Sequence, residues 1–235
     1  MDNALAVMLR PPKSGSVKTR LVPLLTHEEA AVLYECLIRD TFKSIVTLNG
    51  IDIFAACARG THTRGTHAEH GSGSGEEKII DGLIPKGVEI FRQEGMDLGH
   101  RIHNVFKALF DKGYKKAAII GSDSPDLPPE YIEEAFGLLS CNGVGLVLGP
   151  AIDGGYYLVA LDKPNAAIFE GIPWSTDAVL EETIKRATAE AIEFRLLRRW
   201  HDIDTPQDLK FLEDNPNAPA SSAFIRTIMA YKDIE

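Results

Sequence analysis

The clearest chemical signal in this chain of 235 residues is a pair of aspartates that follows a short apolar run. Residues 117–120 (Ala-Ala-Ile-Ile) have the composition of a buried strand, and Asp123 and Asp126 come next, in a turn rich in Gly, Ser and Pro. In open α/β sheets, ligands bind beyond the carboxyl ends of the strands. Two carboxylates at such an edge predict a site for a hard divalent cation and a phosphate-bearing substrate.

Helix capping is the alternative role for these two acids. Asp126 stands just before Pro128 and Pro129, where an acid can cap the first turn of a helix, and capping and ligand binding fit Asp126 equally well. Asp123 lies too far upstream to cap that helix. We therefore expect Asp123 to take part in chemistry.

A basic segment after the first predicted strand offers a second site. Arg10, Lys13, Lys18 and Arg20 lie within eleven residues that contain no acid, although the whole chain has a net charge of −9. Lys18 and Arg20 can hold phosphate oxygens, and Gly15 can turn backbone N–H groups toward an anion. The segment is not a Walker A loop, because GxxxxGK[ST] is absent, and a solvated basic loop is the alternative. Its place after a strand favours phosphate binding.

Two later segments could complete the site. In the Asp153-Gly-Gly-Tyr156 run, the glycines let the backbone approach a ligand closely, although the same run also forms ordinary hairpin turns. Asp202 and Asp204 end a predicted strand just before a capped helix. One of these carboxylates, placed beside Asp123, would complete a Mg²⁺ or Mn²⁺ site that leaves positions open for phosphates.

The elements that must position these residues alternate between strand and helix. Apolar patterning predicts strands at residues 5–9, 51–57, 88–91, 117–120, 144–148, 156–161 and 194–200. Capping and turn signals predict helices after Thr26 and Asp97, over 129–140 and 176–191, and after Thr205. This alternation predicts a three-layer α/β/α fold with a mainly parallel sheet, and the back-to-back strands after residue 144 add an antiparallel part.

Two segments lack this pattern. Residues 59–78 have no apolar periodicity and predict a mobile loop, in which a solvated chain is favoured over a metal site for His62, His67 and His70. Residues 215–222 predict a linker into a last helix over 224–231, which divides the chain into a domain at 1–214 and a tail at 215–235.

The bulk composition excludes several classes of partner. With 44% hydrophobic and 25% charged residues the chain reads as an ordinary globular protein, and its negative charge argues against nucleic acid or an anionic membrane surface. No apolar run approaches the ~20 residues that span a bilayer, and no signal peptide is recognisable, so we expect a cytoplasmic protein without a membrane partner. Cys36, Cys57 and Cys141 form no CxxC pair and predict reduced thiols. The oligomeric state stays open, with a homodimer as one option.

An ordered set of motifs over residues 4–212 resembles a known superfamily. The set consists of SGSVKTRLVPLL, Gln93 with DLGHRI, GSDSPDLP, GPAIDGGYYLVAL, IPWSTD and HDIDTPQDL. It is similar to the nucleotide-diphospho-sugar transferase (GT-A) superfamily and, within it, to the bacterial DUF2064 family of provisionally assigned glycosyltransferases. That family is related to the molybdenum-cofactor and phospholactate guanylyltransferases.

The resemblance implies one α/β/α domain with a nucleotide cleft along the carboxyl edge of its sheet. By this resemblance Asp123 is the first metal ligand and Asp204 the second, while Lys18 and Arg20 bind phosphate. Relatives commonly carry Lys at the position of Arg10, so its contact with phosphate departs from the family pattern.

The same resemblance assigns the remaining cleft residues. Gln93, Leu98 and Gly99 would line the base and ribose pocket. The sugar or acceptor side would be bordered by Asp153, Gly154, Gly155 and Tyr156. The motif reads D-S-P-D instead of D-x-D, which leaves Asp126 open as a ligand.

Three functions remain in view. The leading one is metal-dependent glycosyl transfer from a nucleotide-diphospho-sugar to a small acceptor, with Lys18 and Arg20 on the phosphates and Asp153 as general base. The second is nucleotidyl transfer from an NTP to a phosphorylated acceptor, which the cationic loop favours because it suits a triphosphate. The third is a non-catalytic nucleotide-binding module. The sequence does not name the base, the sugar or the acceptor.

Overall fold

Seven strands form one mixed sheet in a computed structural model that describes residues 2–22, 24–58 and 75–232. The strands are β1 (Asn3–Leu9), β2 (Ile51–Cys57), β3 (Glu89–Arg92), β4 (Lys116–Gly121), β5 (Val144–Pro150), β6 (Tyr156–Leu161) and β7 (Glu193–Leu196). Their order across the sheet is β3-β2-β1-β4-β6-β5-β7. Only β6 runs antiparallel to its neighbours. The predicted mainly parallel sheet with an antiparallel part is confirmed.

Helices cover both faces of this sheet. They are α1 (His27–Ile45), α2 (Gly75–Leu83), α3 (Leu98–Asp111), α4 (Pro129–Leu138), α5 (Val179–Ala189) and α6 (Pro219–Lys232). Leu5 and Val7 of β1 join one apolar cluster and the alternating Ala4 and Ala6 join another, because successive strand residues point to opposite faces. The first cluster includes residues of α1, α2, α4 and α6, and the second those of α3 and α5. The predicted three-layer α/β/α architecture is therefore confirmed. None of the helices within residues 2–22, 24–58 and 75–232 has the length and apolar composition of a membrane-spanning segment.

Local signals account for most helix starts. Thr26 and Glu29 form the predicted capping box at the start of α1, and Asp97 accepts a hydrogen bond from the backbone N–H of His100 at the start of α3. Thr205 and Asp208 form a second capping box, but the element that follows is a 3₁₀ helix over Pro206–Leu212. The predicted capped helix is therefore present, and it is of the 3₁₀ type.

Several predicted boundaries differ from the structure. Helix α5 begins at Val179 instead of 176, because Thr176 Oγ1 donates to Pro173 O at 2.7 Å and closes a turn ahead of the helix. Strand β7 ends at Leu196, and Trp200 adds only an isolated bridge to Ala151. Helix α2 begins at Gly75, so the end of the predicted 59–78 loop is helical. His62, His67 and His70 lie outside the described residues.

The C-terminal helix is anchored by a buried carboxylate from α1. Asp40 is 2% exposed and accepts hydrogen bonds from Ala220 N at 3.0 Å, Ser221 N at 2.8 Å and Ser221 Oγ at 2.7 Å. It thereby satisfies N–H groups that the first turn of α6 leaves without helical partners. The helix begins at Pro219, earlier than the predicted 224, and Ala218 is fully buried beside it. The division of the chain at residue 214 stays a prediction.

Replacing Asp40 tests this anchor. We expect Asp40→Ala to lower the free energy of unfolding by about 2–3 kcal/mol, because it removes the cap of α6 and leaves buried N–H groups unpaired. Urea unfolding at pH 7 measures the loss. Lys43→Ala, an exposed change on the same helix, should stay within about 0.5 kcal/mol of the wild type. Equal losses in the two variants would contradict the assignment.

Candidate functional site

A cleft of about 670 Å³ opens at the edge of the sheet where β1 and β4 end. The loop after β1 and the turn after β4 form one part of it. Because β6 runs antiparallel to β4, its first residues also reach this edge. The cleft therefore lies at the carboxyl edge of the parallel strands, where ligands bind in open α/β sheets.

The centre of the cleft is a lysine held between two aspartates. Lys18 Nζ lies 2.8 Å from Oδ1 of Asp204 and forms a second ion pair with Oδ1 of Asp123. The Lys18 side chain is 4% exposed, whereas the side chains of Asp123 and Asp204 are 42% and 40% exposed. The two carboxylates thus converge on a single point, and the cation at that point is Lys18.

Lys18 has an unusual backbone conformation and an aromatic neighbour. Its φ of 49° and ψ of 34° lie in the left-handed region, which costs a non-glycine residue on the order of 1–3 kcal/mol and is common at functional sites. Its Nζ also lies 5.8 Å from the ring centroid of Tyr34. The Tyr34 hydroxyl accepts a hydrogen bond from Arg10 N at 3.1 Å and lies 2.8 Å from Ser122 Oγ. Tyr34 therefore joins the basic loop to the turn after β4.

The protonation states of Lys18 and Tyr34 follow from this environment. Burial by itself would lower the pKa of Lys18, but the carboxylates of Asp123 and Asp204 outweigh that effect and raise the pKa. Burial first and the charge of Asp123 second raise the pKa of Tyr34 to about 12. At neutral pH Lys18 is therefore an ammonium and Tyr34 a neutral phenol.

Backbone hydrogen bonds bring Asp204 to Asp123 although the two are far apart in sequence. Ile203 N donates to the carbonyl oxygen of Asp123 at 2.9 Å, which joins the segment after β7 to the end of β4. Asp204 N and Thr205 N both donate to Asp208 Oδ2, at 3.1 and 2.7 Å. The capping box that opens the 3₁₀ helix thus also orients the backbone of Asp204.

Asp202, the other acid of this segment, lies deeper. Its Oδ1 accepts a hydrogen bond from Ser124 Oγ at 2.5 Å. Burial, and to a lesser degree the charges of Asp123, Asp153 and Asp204, raise the pKa of Asp202 to about 7, against the opposing effect of the Ser124 hydrogen bond. Asp202 therefore changes charge near neutral pH, unlike an ordinary aspartate.

Asp126 neither caps a helix nor faces the cleft. The residue before α4 is Pro128, which makes no side-chain cap. Asp126 is 6% exposed, and its oxygens lie 3.2 Å from Trp200 Nε1, 3.2 Å from His201 Nε2 and 2.8 Å from Asn215 Nδ2. Although burial opposes it, hydrogen bonding, chiefly to His201, lowers the pKa of Asp126. Through its contacts with Trp200 and His201, Asp126 anchors the segment that contains Asp202 and Asp204.

The turn before β6 needs its glycine for packing. Gly154 has a φ of +92°, and a side chain there would overlap the backbone of Asp177. The Gly154 carbonyl accepts a hydrogen bond from Leu180 N at 2.9 Å, and Gly155 N donates to Asp153 Oδ1 at 2.9 Å. The turn therefore brings the start of α5 to the cleft and keeps Asp153 on its rim.

Gln93 connects the ends of three strands. Its Nε2 donates to Ala56 O at 2.7 Å and to Leu9 O at 3.2 Å, and its backbone N–H donates to Cys57 O at 2.9 Å. Gln93 is 9% exposed and lines the cleft. The side-chain amide of Gln93 therefore donates its hydrogen bonds to backbone carbonyls at the edge of the sheet.

Most of the residues selected from the sequence line this cleft. They are Arg10, Lys18, Arg20, Gln93, Leu98, Asp123, Asp153, Gly155, Tyr156 and Asp204. Gly15, Gly99 and Gly154 are not among the lining residues. A methyl group on Gly99 would lie 2.6 Å from Phe169 O, so Gly99 lets α3 pack closely against its neighbours.

The cleft also contains residues that the sequence reasoning did not select. They include Tyr34, Arg101, Trp174, Ser175, Thr176 and Asp177, together with Asp202, whose role was left open. Most of them belong to DLGHRI and IPWSTD, two of the motifs that carried the resemblance. No sequence pattern within these motifs assigned a role to the individual residues. Ser175 has a φ of 69°, a left-handed conformation that no sequence rule predicts for serine.

Comparison with known families gives a direct match. The family model described as "Uncharacterized protein conserved in bacteria (DUF2064)" matches residues 62–176, just under half of the chain. The resemblance to the DUF2064 family is confirmed. The matched DUF2064 range includes Gln93, Asp123 and Asp153, whereas Lys18 and Asp204 lie outside it. None of the curated proteins compared with this chain matches it.

Solved structures extend the similarity to the whole chain. A provisionally assigned nucleotide-diphospho-sugar transferase from Desulfovibrio desulfuricans G20 is 28% identical, with a TM-score of 0.83 over 97% of this chain and 96% of that one. The 4-diphosphocytidyl-2C-methyl-D-erythritol synthase of Anaerococcus prevotii is 13% identical, with a TM-score of 0.55 over 95% and 96%.

A glycosyltransferase structure shares the fold as well. Glucosyl-3-phosphoglycerate synthase of Mycobacterium tuberculosis, in complex with Mn²⁺, UDP and glucosyl-3-phosphoglycerate, is 13% identical, with a TM-score of 0.51 over 96% of this chain and 79% of that one. At such low identities the synthase structures establish the common fold.

The donor set around Lys18 fits a divalent cation. The carboxylate oxygens of Asp123 and Asp204 already meet at one cation, and Mg²⁺ is commonly held by one or two carboxylates while phosphates and water fill its other positions. Among residues 2–22, 24–58 and 75–232, no group of three or more His, Cys, Asp or Glu side chains is arranged to hold a metal. A metal at Asp123 and Asp204 would therefore have water or substrate oxygens at its remaining positions.

The raised pKa of Asp202 predicts a specific pH dependence of stability. From about pH 4 to pH 7 the folded protein keeps a proton on Asp202 that the unfolded chain has released. The free energy of unfolding of the wild type therefore falls as the pH rises through this range. Asp202→Asn should therefore gain stability relative to the wild type over this window, by on the order of 2 kcal/mol.

Urea unfolding at pH 4.5, 6 and 7.5 in the presence of EDTA measures this difference. Asp214→Asn, at a carboxylate that is 88% exposed, is the control and should follow the wild-type profile. If the free energy of unfolding of Asp202→Asn changed with pH as steeply as that of the wild type, Asp202 would ionise with an ordinary pKa.

Proposed function

We propose that this chain is a metal-dependent transferase that moves a glycosyl group from a nucleotide-diphospho-sugar to a small acceptor. The observation that carries the proposal is the meeting of Asp123 and Asp204 at one cation, in a cleft whose rim carries the basic loop. The similarity to the Desulfovibrio protein over nearly the whole chain supports a transferase of this class. The Mn²⁺ and UDP bound by the mycobacterial synthase, which shares the fold, support a divalent cation and a nucleotide.

The diphosphate would be held from two sides. Asp123 and Asp204 would hold Mg²⁺ or Mn²⁺, which when bound supplies positive charge to the leaving diphosphate. Arg10 and Arg20 line the cleft and form no ion pair with any described residue, so their guanidinium groups are available for phosphate oxygens. Lys18 lies between these two sets of groups.

Asp153 is the proposed proton acceptor. One of its oxygens accepts the hydrogen bond from Gly155 N, which orients the carboxylate at the exposed rim of the cleft. In the proposed reaction the acceptor oxygen bonds to the anomeric carbon while the bond from that carbon to the diphosphate breaks. The acceptor proton passes to Asp153, and the electron pair leaves with the nucleoside diphosphate.

Nucleotidyl transfer is the second candidate. It is favoured by three cations, Arg10, Lys18 and Arg20, on one loop at the cleft, because a triphosphate brings more negative charge than a diphosphate. An acceptor phosphate would then attack the α-phosphate of an NTP and release pyrophosphate. The fold shared with the Anaerococcus synthase is compatible with this chemistry.

The products decide between the two reactions. We expect free nucleoside diphosphate from at least one member of a panel of nucleotide-diphospho-sugars incubated with Mn²⁺ and small acceptors. Pyrophosphate release from an NTP would instead establish nucleotidyl transfer. Nucleotide binding that raises the Tm without turnover of either donor class would identify a non-catalytic module.

Removing either proposed metal ligand should abolish turnover. We expect Asp123→Asn and Asp204→Asn each to lower kcat at least 100-fold, because each removes a charge that the metal needs. The exposed Asp214→Asn is the matched control and should retain wild-type kcat. Turnover that survives in both cleft variants would exclude metal binding by this pair.

Arg20 should act on donor binding more than on the chemical step. We expect Arg20→Met to raise KM for the donor about tenfold, the equivalent of one charge-assisted hydrogen bond, while kcat stays within threefold. Steady-state kinetics over a range of donor concentrations separate the two parameters. An unchanged KM in this variant would remove Arg20 from the phosphate site.

A further inference from the structure

We propose that Lys18 makes the site selective for a metal–diphosphate complex over the free metal ion, because its ammonium takes the place of the metal until phosphate draws it away. The inference rests on the proposed function in one respect, since it treats Asp123 and Asp204 as the metal ligands. It adds a role for Lys18 in determining which form of the metal can bind.

Geometry makes the ammonium and the metal competitors. Lys18 Nζ contacts Oδ1 of both Asp123 and Asp204, and these carboxylates are the groups that a metal would need. A divalent ion at the same carboxylates would stand within a few ångströms of the ammonium, where two like charges repel strongly. Free metal can therefore bind fully only if Lys18 leaves.

Burial makes that departure costly without a new partner. The Lys18 side chain is 4% exposed, and a buried ammonium that loses its carboxylates is strongly destabilised. Phosphate oxygens offer such a partner in the same cleft, next to Arg10 and Arg20 on the same loop. A diphosphate therefore provides what the free metal lacks, a negative charge to which the ammonium can move.

Charge balance leads to the same conclusion. The ammonium and the two carboxylates together carry one net negative charge. A divalent ion alone would make this cluster net positive, whereas a divalent ion that arrives with the two negative charges of a diphosphate leaves the balance unchanged. The net charge of the cluster therefore favours the complex of metal and diphosphate over the free metal ion. Lys18 thereby couples the binding of the metal to the binding of the diphosphate.

Mn²⁺ affinity in the absence of any nucleotide tests this coupling. We expect Lys18→Met to bind Mn²⁺ at least tenfold more tightly than the wild type, as measured by the loss of the free-ion electron paramagnetic resonance signal. Lys43→Met, an exposed change on α1, should match the wild type. Adding Asp204→Asn to Lys18→Met should abolish the gain, which identifies the site. Equal or weaker binding by Lys18→Met than by the wild type would overturn the proposal.

A measurement on the wild type covers the case in which Lys18→Met does not fold. The buried ammonium of Lys18 should give a ¹⁵N–¹H signal protected from exchange, assigned by its absence in Lys18→Arg. We expect the signal to persist with Mg²⁺ alone and to shift when inorganic pyrophosphate is added with Mg²⁺. Displacement by Mg²⁺ alone, or no response to both together, would overturn the coupling.

These experiments separate the inference from the proposed function. Neither needs a nucleotide, a sugar or an acceptor, so both give an answer even if no transfer reaction is found. Conversely, turnover that depends on Asp123 and Asp204, combined with equal Mn²⁺ affinities in the wild type and Lys18→Met, would keep the function and remove the coupling.

Discussion

The ion pairs of Lys18 with Asp123 and Asp204 are the interaction on which the cleft depends. An ammonium as buried as that of Lys18 is tolerated only with carboxylates beside it, and the two carboxylates would repel each other without the ammonium. The three charges come from the loop after β1, the turn after β4 and the segment after β7. Their mutual attraction therefore ties together parts of the chain that are far apart in sequence, at the edge where a substrate would bind.

Aspartates within one small region have different properties because their surroundings differ. Asp126 is buried among hydrogen-bond donors, so its carboxylate stays ionised and holds the segment after β7. Asp202 is half-buried beside other acids with Ser124 as a donor, and burial with these charges raises its pKa to about 7. Asp204 is 40% exposed and faces a cation. The partners and the burial of each carboxylate, more than its residue type, decide its part in the structure.

Much of the fold could be predicted from local patterns. Each of the seven strands overlaps the apolar run that predicted it, and the capping residues Thr26 and Asp97 begin the expected helices. The errors lie where local signals compete with tertiary contacts. Thr176 looked like a helix start, but its side chain closes a turn ahead of α5. The apolar pattern predicted that the last strand would extend to Trp200, but Trp200 forms only an isolated bridge beyond the end of β7. Thr205 has the signature of a helix cap, and the helix that it begins is of the 3₁₀ type.

The sequence by itself determined the α/β alternation, since periodicity and capping act over a few residues. It thereby placed Asp123, Lys18, Asp153 and Asp204 in the segments that connect strands to the next element. Only the tertiary structure decided that Lys18 occupies the point between the two acids and that Asp126 is a support. It also decided that Asp202 lies close to Asp123, Asp153 and Asp204. Burial and charge at each side chain depend on neighbours from distant segments, and these neighbours are set by the packing of the whole chain.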